Sequence, residues 1–139
     1  MSGSSHNVIT KRSFNFSKLS ATQTQDIPLN RAFEVTGAKQ IDLVVRVHSQ
    51  TISAGQIDVI VQAVSLTGDD PSVDFVYATS AGGIISLASV TLSVAAPTLH
   101  LAQLVPPWGP MIRVLVRGTG AAGATIEASL SIDLVIYDN

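Results

Sequence analysis

The sequence predicts an all-β fold, a single-domain antiparallel β-sandwich or jelly roll of about 8–10 short strands. Three observations carry this expectation. Apolar and polar residues alternate with a period of two in segment after segment, and turn signals return about every 8–12 residues. No stretch shows an apolar stripe at helical spacing, so the pattern favours two packed sheets over a helical or α/β fold.

Taken in order, residues 1–7 are small and polar and are expected to be a mobile tail, with 8–139 forming the domain. Within it, 8–18 is a candidate docking arm or edge strand: Lys11 and Arg12 supply charge, and Phe14 and Phe16 share one side. Thr22–Ile27 and Ala32–Val35 read as short strands around a turn at Pro28–Asn30. In Gln40–His48, Ile41, Leu43, Val45 and Val47 face one way and Asp42, Arg46 and His48 the other, the mark of a sheet with one wet face. Ser53–Gly55 turns into Gln56–Leu66, which is partly apolar on both faces and therefore central or covered by a second layer.

Thr67–Pro71 is turn chemistry, and Val73, Phe75 and Tyr77 make one face of a short strand. After a break at Ser80–Gly83, Ile84–Val94 presents Ile84, Ala88, Val90, Leu92 and Val94 on one side and Ser89, Thr91 and Ser93 on the other. Beyond the bend at Ala95–Pro97, Leu99, Leu101 and Gln103 alternate with His100, Ala102 and Leu104. Pro106, Pro107 and Pro110 lack an N–H and exclude their loop from a central strand. Met111–Arg117 places Ile112, Val114 and Val116 inward, with Arg113 and Arg117 outward. Gly118–Ala124 is a loop, and Thr125–Tyr137 closes with Ile126, Ala128, Leu130, Ile132, Leu134 and Ile136 toward the core.

Composition narrows the function. At 46% hydrophobic and 13% charged, the 139-residue chain is apolar for a soluble protein. Its net charge of −2 predicts no phosphate-binding surface, so no nucleic-acid partner is expected. Cysteine is absent, which removes disulfides, thiolate metal sites and Cys nucleophiles together. No signal peptide is expected at the N-terminus, and glycines and prolines leave no apolar run near the ~20 residues of a membrane span. Synthesis in a cytoplasm and no membrane partner follow as expectations. The stretch Phe75–Ile112 holds no Asp, Glu, Lys or Arg, where an average protein would place about nine. So long a neutral segment points to a face covered by other subunits.

Motifs of catalysis do not assemble. Gly118–Gly123 spells G-x-G-x-x-G, but a period-2 strand follows it where a dinucleotide site needs a helix. His6, His48 and His100 are too far apart for a metal-ligand pattern, and Asp69, Asp70 and Asp74 do not have the spacing of a calcium loop. There is no G-x-S-x-G elbow, and Glu34 and Glu127 are the only glutamates. No enzyme activity, cofactor or metal is therefore expected. Trp108, in its proline-stiffened loop, is the residue on which a carbohydrate-binding or adhesion module would rest.

The Ala/Thr/Gly-rich strands from about Thr22, the Gly118–Ala124 loop, the strand-like C-terminus Val135–Asn139 and the lack of cysteine resemble small all-β virion structural proteins. The resemblance is to the decoration or auxiliary proteins of tailed-bacteriophage heads. It implies a non-enzymatic virion subunit that forms a homo-oligomer and binds a capsid or other structural protein. Candidate interface residues are Trp108, Pro107, Ser89, Thr91, Ser93 and His100 in or beside the neutral stretch, with Lys11, Arg12 and Phe14 of the arm as a second grip.

Overall fold

A computed structural model describes residues 3–29, 33–64, 86–94, 98–104, 108 and 111–138. Among these lie nine strands: β1 (Gly3–Asn15), β2 (Thr24–Pro28), β3 (Phe33–Glu34), β4 (Gln40–Ile52), β5 (Gln56–Val64), β6 (Ser86–Leu92), β7 (Leu99–Gln103), β8 (Met111–Thr119) and β9 (Ile126–Tyr137). They form two antiparallel sheets, β1-β9-β4-β7 and β2-β8-β5-β6, with the short β3 extending the β2 side of β8. No helix among the described residues is long and apolar enough to cross a membrane.

The strand order decides between sandwich and jelly roll. With β3 set aside, the first strand pairs with the last (β1·β9), the second with the second-last (β2·β8), then β4 with β7 and β5 with β6. A long hairpin folded over itself gives this nested pairing, which is the jelly roll's double Greek key. The β4·β9 and β5·β8 ladders then close each sheet.

The core lies between the two inner faces. Ile41, Leu43 and Val45 of β4 and Leu130, Ile132 and Leu134 of β9 come from one sheet, and Ile57, Val59 and Val61 of β5 with Ile112, Val114 and Val116 of β8 from the other. All twelve are fully buried, and burying such a side chain stabilises by about 1.5–3 kcal/mol each. In β4 the alternation changes phase once. A bulge between Val47 and Ser49 inserts His48, so Val47 lies opposite Leu130 but Gln50 opposite Ala128 and Ile52 opposite Ile126. One extra residue swaps the faces, which carries the strand to Ile52 with that side chain again in the core.

Gly118, at the end of β8, and Gly120, just past it, serve packing. Phe16 enters the core just past β1, and a Cβ on Gly118 would overlap its ring. A Cβ on Gly120 would meet the Ser20 carbonyl oxygen and Leu19, where the backbones join through Thr22 N–H to Gly120 O (3.0 Å) and Gly120 N–H to Gln23 O (2.8 Å). The first two glycines of the G-x-G-x-x-G stretch thus admit the segment that follows β1.

Two expectations need correction here. From Gly3 onward the supposed tail is strand, paired residue by residue from Gly3↔Tyr137 to Asn7↔Asp133. The backbone ladder holds it although its side chains are exposed. Residues 8–15 are the rest of that edge strand and not a free arm. The alternation groups Val94 with the buried Val90 and Leu92, but β6 ends at Leu92 and Val94 is 65% exposed. The Thr67–Pro71 turn, the Val73–Tyr77 strand, Ile84 and Asp69, Asp70 and Asp74 lie outside the described residues.

Candidate functional site

The two sheets present unlike outer faces. On the β2-β8-β5-β6 sheet, Asp58, Ile60 and Gln62 of β5 and Arg113 and Leu115 of β8 point away from the core yet are buried. Their polar groups are matched: Asp58 accepts from Gln56 Nε2 (2.8 Å) and from Thr91 Oγ1, and Arg113 Nε donates to Gln62 Oε1 (3.1 Å). At its margin Arg117 grips Asp26 with two bonds of 2.7 and 3.0 Å. The Asp26 hydrogen bond raises the Arg117 pKa above its ordinary value against the opposing pull of desolvation.

On the β1-β9-β4-β7 sheet the outer face is open. The register Val44↔Leu101 and Arg46↔Leu99, beside Val45↔His100 and Leu43↔Ala102, decides how β7 is turned. Leu43 and Val45 face the core, so His100 and Ala102 face it too, and Leu99 and Leu101 stand outside. Leu101 is 70% and Leu99 49% exposed. With Val94, these are the exposed large hydrophobics among the described residues, and all three fall inside the charge-free stretch.

The sequence-predicted interface residues divide. Ser89, Thr91 and Ser93 are exposed as expected; Thr91 also binds Asp58, and the Ser93 carbonyl accepts from Gln50 Nε2. His100 is half-buried on the inner side of β7. Lys11 and Arg12 are exposed on β1, and the Arg12 guanidinium carbon stands 5.2 Å from the Phe14 ring centroid. Phe14 and Trp108 are corrections: both belong to the buried core cluster, at 3% and 9% exposure. A ring packed in the core offers no face to a sugar, so the carbohydrate role of Trp108 falls with its burial. Pro107 lies outside the described residues.

Leu99, Leu101 and Val44 were missed. The alternation in 99–104 offers two apolar sets, and only the pairing with β4 tells which one is inside. A polar trough of about 200 Å³ also crosses β1, β9 and β4, lined in part by Asn15, Ser49, Thr51, Glu127 and Ser129. Glu127 is the one carboxylate lining it, held by Asn15 Nδ2 at 3.3 Å. Among the described residues no three His, Asp or Glu side chains converge as metal ligands.

No family model matches the chain, and no curated protein matches it. Among solved structures it is similar to a chain in the structure of infectious bursal disease virus, Gx strain, with a TM-score of 0.53 and 12% identity. The likeness is one of fold. It covers 97% of this chain and 31% of the viral one. A chain in the crystal structure of the T13 particle of the same virus gives a TM-score of 0.48 at 13% identity, over 99% of this chain and 31% of that one. The protein thus spans 31% of the length of the viral chains it matches.

Proposed function

We propose that the protein is a non-enzymatic virion structural subunit, on the virion surface or decorating a capsid, that associates with itself and docks on a protein lattice. The observation that carries this reading is the placement of Leu99 and Leu101, exposed leucines at a sheet border inside a segment without charge. An exposed leucine alone is ordinary. Two on one face beside the half-buried Val44, with no charged residue on their own strand, make a surface suited to a partner. The fold likeness to a viral chain supports the same reading.

Sedimentation velocity across a concentration series tests it, with negative-stain microscopy of any larger species. Association that grows with protein concentration and persists in high salt is expected, because the surface is apolar. A monomer at high micromolar concentration, unchanged by salt, overturns self-association.

A further inference from the structure

We infer that two copies of this chain join edge to edge through β7, antiparallel about a two-fold axis at Leu101, fusing their four-stranded sheets into one of eight. This rests on the self-association proposed above and names its surface, partner and register.

The backbone sets the first condition. Val47 N–H donates to Thr98 O and Leu104 N–H to Ile41 O, at 2.8 and 2.9 Å. Antiparallel ladders alternate, so residues 98, 100, 102 and 104 turn their peptide groups to β4, while Leu99, Leu101 and Gln103 turn theirs to the border. Among the described residues the sheet ends there. Such borders are commonly guarded by charge, proline or a bulge. From 99 to 103 β7 has none of these, and its ladder to β4 is unbroken. The same three residues carry the outward side chains, so one strand offers open hydrogen bonds and an exposed apolar face together.

Self-complementarity sets the register. A two-fold at Leu101 puts Leu101 opposite its own copy and Leu99 opposite Gln103, using the open groups of all three residues on both strands. The outer face then has an unbroken apolar row running Val44, Leu101, Leu101, Val44 across four strands. The flanking rows run Arg46, Leu99, Gln103 and Asp42, the first two from one copy and the last two from the other, so no like charges meet across the seam. A register centred on His100 would leave Gln103 without a partner within the two paired strands. The isologous contact closes on itself and leaves no β7 border for a third copy. Five-residue strands bury little area, which places the pair in the weak, transient class of interfaces below about 1,200 Å². Such contacts hold when repeated on a lattice.

The absence of cysteine makes disulfide trapping the direct test. Residues facing each other in a hydrogen-bonded antiparallel pair have Cα atoms about 5.5 Å apart, within disulfide range. Under mild oxidation, Leu101→Cys alone is expected to give a band at twice the 14.5 kDa of one chain. Leu99→Cys and Gln103→Cys are expected to give it mixed and at least tenfold less when separate. A Thr24→Cys control, on an edge of the other sheet, reports random collision. All four substituted positions are exposed, so folding is not at stake, and circular dichroism confirms it. Cross-linking of Leu99→Cys with Leu101→Cys in preference to the predicted pair overturns the register. Concentration-dependent association with no β7 cross-link overturns the β7 contact and leaves self-association standing. A monomer under every condition removes both.

Discussion

Strand β1 borders its sheet with two breaks in register, at Asn7/Ile9 and Ile9/Arg12, and with Lys11 held at a φ of 47°. Strand β7 borders the opposite side with five regular, uncharged residues. The first arrangement twists and charges an edge against further pairing, and the second leaves it flat and apolar. Yet β1 is the one tied into the domain. Its Phe14 and the Phe16 just beyond lie in the core with ring centroids 6.4 Å apart, while the leucines of β7 face solvent. Edge strands of one sheet can thus divide the work, one holding the fold together and the other presenting a surface.

The contrast breaks most readily at Phe14. Phe14→Ala is expected to cost about 3–5 kcal/mol in denaturant unfolding, whereas Leu101→Ala should stay within about 0.5 kcal/mol. Comparable losses would mean that Leu101 is also a core residue. Next comes the backbone of β1. Lys11→Val puts a branched side chain at a positive φ and should lower stability by about 1–2 kcal/mol, while Lys11→Gly should leave the melting temperature equal or higher; a gain with Val would refute the strained edge. On the β7 side, Leu101→Lys should weaken self-association at least tenfold, about 1.4 kcal/mol, with the melting temperature of the monomer unchanged. The smallest effect belongs to the other sheet's border, where Asp26→Ala should cost no more than about 1 kcal/mol because the Asp26–Arg117 pair is substantially exposed.

Much of this architecture was legible in the sequence, and what was lost has a common cause. Alternation reveals that a strand has two faces, but a charge is needed to say which is wet. In β4 and β9, Asp42, Arg46, Glu127 and Asp133 mark the outside, so the inner sets were readable. In β7 neither face is charged, and the leucines that hydropathy would bury are outside because Ala102 and His100 lie beside Leu43 and Val45. Gly3–Asn7 pairs with β9 through its backbone and the Asn7–Asp133 side-chain bond, with its side chains exposed, and leaves no apolar alternation to find. The His48 bulge is a matter of residue number along two partners, invisible in either one alone. Trp108 belongs to the core although prolines crowd the sequence around it.

The nested pairing also fixes when the molecule can exist during synthesis. Strand β9 lies between β1 and β4, and β8 between β2 and β5, so the last two strands described are the central strands of both sheets. A nascent chain that stops short of Met111 has five ladders waiting for strands not yet made. The β2-β8-β5-β6 sheet lacks a central strand until Thr119 is made and the β1-β9-β4-β7 sheet until Tyr137, so Gly3 must wait for Tyr137. Such long-range pairing folds slowly and late, with apolar strands exposed meanwhile. A cell making many copies at once would therefore hold a pool of unfinished chains, whose strands must find partners in their own chain before they find those of a neighbour.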